Sequence, residues 1–299
     1  MSAAPDLLTP EFIAELEALR RRLEIRARSG ASGERVSRRR GGSAEFEEHR
    51  PYAPGDDLRR IDWLAYARTG EPVIKQFRAE EDVILRMLVD GSASLGFGEP
   101  SKLEVARRLC AALGYLALAG SQRAQVLVAG GQEGRGPGLN QVGPPKRGRS
   151  ALAGLLRELS RVGATGVVDL TRSIEQTLLT SRRPGLLVVV SDFYDSGPVL
   201  QALGRARAQG HDVCLLQVLS REELDPNLEG DYSFVDSESG QTVELTLDAS
   251  AIDAYIARIT GLIEELRGWA RRHAATYLRA VTDEPLEAVV RRFVTRESD

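Results

Sequence analysis

Two short runs constrain this chain more than anything else in it: Val83–Val89, reading Val-Ile-Leu-Arg-Met-Leu-Val, and Leu186–Val190, reading Leu-Leu-Val-Val-Val. A strand with one wet face alternates apolar and polar residues. Nearly continuous apolar runs belong to strands covered on both faces, as in a parallel sheet with helices on either side. The spacing elsewhere keeps that alternation. Helical periodicity covers 102–118, 151–159, 170–180, 199–208 and 286–293, and strand patterns cover 125–129, 212–218 and 277–281. Short strands near 232–235 and 243–247 read as a hairpin. A long helix follows, with Ile252, Tyr255, Ile256, Ile259, Leu262, Ile263, Leu266 and Trp269 on one face. The expected fold class is α/β, a doubly wound and mostly parallel sheet with small β-hairpin additions.

An N-terminal helical arm precedes this region. Residues 5–28 predict a helix with Thr9 as N-cap, Pro10 at the first helical position, and Phe12, Ile13, Leu16, Leu19 and Leu23 at helical spacing. Residues 29–43 are glycine- and serine-rich and basic, a composition that suits a solvated linker or a phosphate-seeking arm. Val73, Ile74 and Phe77 mark a strand expected to form a hairpin with Val83–Val89. The expected domains are 1–80 (helix, linker and a charged aromatic segment) and 81–299.

Composition excludes several function classes. Of the 299 residues 42% are hydrophobic, enough for a packed core rather than a disordered chain. A formal net charge of −3 offers no broad field for nucleic acid. Cys110 and Cys214 stand far apart with no Cys-x-x-Cys pair, which fits a reducing compartment. The first residues lack a signal-peptide pattern, and the most apolar window, Leu103–Ala119, is broken by Arg107 and Arg108. A cytoplasmic protein without membrane insertion is expected. Only three of the 40 basic residues, Lys75, Lys102 and Lys146, are lysines, a bias that coding preference accounts for.

In an open parallel sheet, ligands bind beyond the carboxyl ends of the strands, where strand order reverses. Asp90-Gly-Ser92-Ala-Ser94 follows the first buried run, and Ser191-Asp192-Phe-Tyr-Asp195 follows the second. Gly163-Ala-Thr165-Gly lies between them. If the two strands are neighbours, Asp90, Ser92, Ser94, Thr165 and Asp192 converge on one rim. Two carboxylates and three hydroxyls form an all-oxygen set, suited to Mg2+ or Mn2+ and offering nothing soft for zinc or copper.

This set resembles the metal-ion-dependent adhesion site of von Willebrand factor A domains: Asp-x-Ser-x-Ser, a threonine loop, then an aspartate after a later strand. One departure is Phe193-Tyr194-Asp195, where many A domains carry glycine, so a more crowded rim is expected. Separately, Glu45-Phe46, Arg50-Pro-Tyr52, Pro54-Gly-Asp-Asp57, Arg60-Ile-Asp-Trp63 and Ala67-Arg68 are similar to the signature of the bacterial domain-of-unknown-function family 58, DUF58. The resemblance implies a non-enzymatic interaction module whose bound cation engages an acidic side chain of a partner, often beside a MoxR-type AAA+ ATPase. Within the signature, Arg50, Asp57, Arg60, Asp62, Trp63 and Arg68 are candidates for partner contact. The competing reading is a web of Arg–Asp pairs and Trp63 packing that fixes the segment internally. Asp56 or Asp57 is expected to cap a short helix with Leu58, Ile61 and Leu64 inward.

The competing function class is a metal-dependent phosphoesterase or nuclease using the same rim, with Asp169 or Asp195 as the extra base. Other signals are weaker. Gly130–Gly138 lacks the following helix of a dinucleotide loop and reads as a hairpin loop. Gly91–Gly96 is out of register for a hydrolase elbow. His49, His211 and His273 each stand alone.

Overall fold

The structure, a computed structural model, describes residues 7–29, 44–53, 56–79, 84–130, 136–181, 183–194, 198–226, 230–235 and 241–295. In chain order the elements are α1 (Pro10–Ser29), β1 (Ala44–Pro51), α2 (Trp63–Thr69), β2 (Val73–Ala79), β3 (Ile84–Gly91), α3 (Lys102–Ala119), β4 (Arg123–Gly130), β5 (Leu139–Val142) and β6 (Lys146–Arg147). They continue with α4 (Leu152–Ser160), α5 (Leu170–Thr180), β7 (Leu186–Ser191), α6 (Val199–Ala208), β8 (Asp212–Leu219) and α7 (Arg221–Leu224). The last are β9 (Gly230–Val235), β10 (Thr242–Leu247), α8 (Ala249–Arg272), β11 (Thr276–Val281) and α9 (Leu286–Thr295). Among the described residues no helix is long and apolar enough to cross a membrane.

The described parts of 1–29 and 83–299 form one compact unit, and those of 30–82 form another. The larger unit is built on a sheet of order β11-β8-β7-β3-β4-β5, with β6 also beside β4. The five strands from β11 to β4 run parallel, while β5 and β6 are antiparallel to β4. Side chains alternate across the pleat. Leu85, Met87 and Val89 of β3 enter the core under α1, α3, α4 and α9, whereas Leu88 enters the opposite core with α5, α6 and α8. Both faces are thus covered, the physical reason for the unbroken apolar runs.

The order in which strands are added reverses around β3. It pairs with β4 on one edge and β7 on the other, so the loops after β3 and β7 leave side by side at a topological switch point. This double pairing also overturns the expected hairpin between 73–77 and 83–89. With both edges of β3 taken, β2 pairs antiparallel with β1, with a register shift between Phe46 and Glu48.

Helix α1 starts where expected, the Thr9 hydroxyl accepting from the Phe12 amide at 3.2 Å. Leu7, Leu8, Phe12 and Leu16 are buried in the core shared with α3 and α9. The contact units thus group 1–29 with 83–299, where Leu7, Leu8, Phe12 and Leu16 find their apolar partners, rather than dividing the chain at residue 80. The expected stripe on α8 is buried only from Ile259 onward, and Tyr255 and Ile256 stay exposed. At a rise of about 1.5 Å per residue the helix spans roughly 36 Å, well beyond the roughly 20 Å covered by its six-residue neighbour β11. Its first turns project past the sheet. The hairpin expected near 232–247 forms as β9–β10.

In the smaller unit two aspartates act as helix caps. Asp57 accepts from the Arg59 amide at 3.0 Å and opens a 3-10 turn over Leu58–Arg60. Asp62 then accepts from the Leu64 and Ala65 amides at 3.1 and 3.2 Å and opens α2. Because the second cap restarts the helix, counting inward positions from Leu58 fails: Ile61 is buried, whereas Leu58 is 58% and Leu64 75% exposed. Loss of the second cap in Asp62→Ala is expected to cost about 1–2 kcal/mol of local stability. Faster amide exchange at Leu64 and Ala65 would report it, and unchanged protection there would exclude a capping role.

Residues 30–43, read as a linker, lie outside the described residues, as do 131–135 of the glycine-rich loop. Around that loop β4 and β5 are antiparallel, as a hairpin requires.

Candidate metal site

The rim is assembled by three loops. Asp90 is the penultimate residue of β3, which is buried throughout, with Oδ1 accepting from the Ser92 amide at 2.8 Å and Oδ2 from the Ser191 hydroxyl at 2.6 Å. A 3-10 turn over Ala93–Gly96 then brings Ser94 back beside Ser92, their hydroxyl oxygens 3.0 Å apart. Ser94 donates to Asp192 Oδ2 at 2.7 Å, joining the β3 loop to the β7 loop. The threonine loop is tied to the same turn by its backbone: Thr165 N donates to Gly91 O and Ala93 N to Gly166 O, each at 2.9 Å. Thr165 is exposed; Asp90, Ser92 and Asp192 are buried. All five candidate residues thus come from loops at the carboxyl end of β3 and β7, or tied to them.

The donor set fits a hard cation. Ser94 has one proton, and it goes to an acceptor-only carboxylate. Its lone pairs stay available, and Ser92 must be the donor in any hydrogen bond between the two serines. The 3.0 Å between the hydroxyl oxygens matches an octahedral edge, about 2.9 Å for metal–oxygen bonds near 2.05 Å. Burial first, and then the neighbouring Asp192 carboxylate, push the Asp90 carboxyl up to about 6. Two buried carboxylates sharing one rim disfavour ionisation together, and an added positive charge relieves that. Among the described residues no three His, Cys, Asp or Glu side chains converge as a metal cluster; the set is hydroxyl-rich instead.

The Asp192 loop is held in an unusual shape. Phe193 has φ 61°, the left-handed region that favours glycine. Its amide donates to the Ser191 hydroxyl at 2.9 Å, and Gln217, itself bonded to Tyr277, donates to Asp192 O at 3.0 Å. The Phe193 ring is buried in the core with α5, α6 and α8, which offsets the strain of order 1–2 kcal/mol. Crowding of the rim therefore comes from Tyr194, which stays 40% exposed, and not from Phe193.

Sequence reasoning missed two residues. Lys102, the first residue of α3, is 1% exposed. Its ammonium lies 2.8 Å from Asp192 Oδ2 and 2.6 Å from Glu223 Oε1, and 5.0 Å from the centre of the Tyr194 ring. Glu223 closes a capping box, its Oε2 accepting from the Ser220 amide at 2.8 Å. No sequence signal singles Lys102 out: it is one of three lysines, with Lys75 and Lys146, in a chain that otherwise uses arginine.

The other candidates have structural partners or fall outside the described set. Asp169 caps α5, accepting from the Arg172 amide at 2.8 Å, and Asp195 lies outside the described residues. Arg50 pairs with Asp56 at 2.8 Å, and Arg68 Nε reaches Leu64 O at 3.4 Å. Trp63 is exposed and meets Tyr66 edge-on at 6.1 Å, while the Arg60 side chain lies outside the described set. Asp57 and Asp62 are the caps already described. His211 is buried, and burial keeps its imidazole below the usual range. The thiols of Cys110 and Cys214 are buried and pushed up to about 12.

Residues 48–261 match the sequence profile of the family described as "Protein of unknown function DUF58". The chain belongs to the DUF58 family. It is 30% identical over 298 residues to the uncharacterized protein Rv1480 of Mycobacterium tuberculosis, covering 97% of this chain and 90% of that one. Among solved structures, the conserved hypothetical protein BatB from Bacteroides thetaiotaomicron aligns at a TM-score of 0.46 and 16% identity, over 72% of this chain and 98% of that one. A von Willebrand factor type A protein from Catenulispora acidiphila aligns at 0.39 and 12%, over 74% and 43% respectively. As a DUF58 protein, the chain carries an α/β fold whose central sheet is mostly parallel, with Asp90 and Asp192 at its switch point.

Proposed function

We propose that this DUF58 protein is an interaction module that holds one divalent cation, Mg2+ or Mn2+, on the Asp90–Asp192 rim and presents it to a carboxylate of a protein partner. The observation that carries the reading is the continuous chain Ser92–Ser94–Asp192 beside a buried Asp90. A hard cation held mainly by neutral hydroxyls retains affinity for one further anionic oxygen. The residues prepare that arrangement. Ser191 and the Ser92 amide orient Asp90, and Asp192 fixes the Ser94 proton. The backbone ties at Gly91 and Gly166 keep the Thr165 loop against the turn. A MoxR-type AAA+ ATPase is the partner class proposed from the family resemblance.

Titration calorimetry with MgCl2 and MnCl2 tests the cation. Saturable binding to the wild type that disappears in Asp90→Ala is the expected result, and a wild type without saturable binding would sink the reading. Affinity capture in Mg2+ against chelator tests the partner. An AAA+ ATPase retained only with Mg2+ is expected; equal capture in both, or none, removes that partner assignment.

A further inference from the structure

Lys102 is in an expensive position. A lysine on the first turn of a helix opposes the macrodipole, and a buried ammonium needs full compensation. Here the compensation is complete: Asp192 at 2.8 Å, Glu223 at 2.6 Å and the Tyr194 ring 5.0 Å away. Burial first, and then the neighbouring Glu223 carboxylate, raise the Tyr194 hydroxyl above its ordinary range, so the ring beside the lysine lies in the same enclosed, negatively charged surroundings. The oxygen that Lys102 contacts, Asp192 Oδ2, also accepts the Ser94 proton.

We propose that Lys102 is a resident cation of the rim, sharing Asp192 with the divalent-ion position and limiting how tightly that ion is held. The inference rests on the cation reading above. With Lys102 present, Asp90, Asp192 and Glu223 carry a combined formal charge of −2, which one divalent ion balances. Without it the surplus is −3: the ion binds more tightly and has less attraction left for an incoming carboxylate. Glu223 acts in the opposite sense. By holding part of the ammonium charge, it leaves Asp192 freer to support the ion. Lys102 and Glu223 are positioning residues, and their removal has opposite signs, which a purely structural role would not produce.

The test uses the full chain, with Mn2+ alone as the probe. In chelator, Lys102→Met is expected to melt roughly 10 °C below the wild type, since a buried charge cluster loses its counter-ion. Its Mn2+ affinity is expected to rise by about tenfold or more, and Glu223→Gln to lower it by about threefold or more. Unchanged melting in chelator overturns the proposal, as does a loss of Mn2+ affinity in both variants. If Lys102→Met fails to fold, Glu223→Gln decides: weaker Mn2+ binding supports the proposal, and equal or tighter binding overturns it. If wild type and variants alike take up no Mn2+, the cation reading fails. The sharing of Asp192 with an ion then falls with it, whereas a lower melting point of Lys102→Met in chelator still establishes the lysine as the counter-charge.

Discussion

Asp90→Asn is expected to stabilise the ion-free protein at neutral pH while abolishing divalent-cation binding. The Asp90 carboxyl titrates at about 6 in the fold against an ordinary 3.8, so the fold prefers its protonated form. The stability this group contributes is complete below pH 3.8 and is lost as pH rises through 6. Above that, the ion-free fold carries two buried carboxylates on one rim. Asparagine is neutral at every pH and keeps an oxygen for the Ser92 amide, but it must turn its amide group toward Ser191. Allowing for that, the variant should gain about 1–2 kcal/mol at pH 7, a few degrees in melting temperature. The gain should vanish near pH 4. Paired melts in chelator at the two pH values check it; an offset independent of pH, or a less stable variant at pH 7, would contradict the assignment. Residues suited to cation binding are here strained without the cation.

The second large effect is expected at Gly130, the last residue of β4. Its φ is 59°, and a Cβ placed there collides with Val168 Cγ2. Val168 is packed in the core beside α5, three residues beyond Thr165. Gly130→Ala thus combines a left-handed backbone penalty with overpacking, together about 2–4 kcal/mol. Gly148→Ala isolates the backbone cost: at φ 77° and ψ 158° it lies in a region essentially reserved to glycine, about 1–3 kcal/mol, while nothing lies within 4 Å of the added Cβ. Urea unfolding separates the two. Because relief at Gly130 requires moving Val168, the variant should also weaken Mn2+ binding through the Thr165 loop, whereas Gly148→Ala should not. Unchanged Mn2+ binding in Gly130→Ala would show that Val168 yields freely and that the loop is not braced from β4.

The smaller unit shows a local limit on sequence reasoning. Asp57 is legible as a cap or a partner contact and Asp62 only as a partner contact, yet both cap: they accept from Arg59 and from Leu64 and Ala65 respectively. Leu58 and Leu64, expected inward, are exposed, and so is Trp63, against the reading in which it packs internally. The error lies in periodicity, which assumes one uninterrupted helix; a cap at Asp62 resets the phase. The same holds for α8, where a stripe read as one buried face is covered only as far as the sheet extends.

The sequence by itself determined the parallel sheet and the order of its loops. Apolar runs such as Leu186–Val190 are unstable in any setting that wets them, and the polar residues following each run must then fall at the strand ends. Asp90, Ser92, Ser94 and Asp192 could be named on that basis, because strand direction alone puts them on the carboxyl rim. Tertiary structure alone decided what depends on contacts distant in sequence. Occupation of both edges of β3 rules out its hairpin with β2, which pairs with β1 instead. The entry of Lys102 and Glu223 into the rim joins residues 121 positions apart through a hydrogen bond that no local pattern encodes. A buried lysine and an exposed one read alike in sequence; only the approach of two carboxylates makes burial of its charge tolerable.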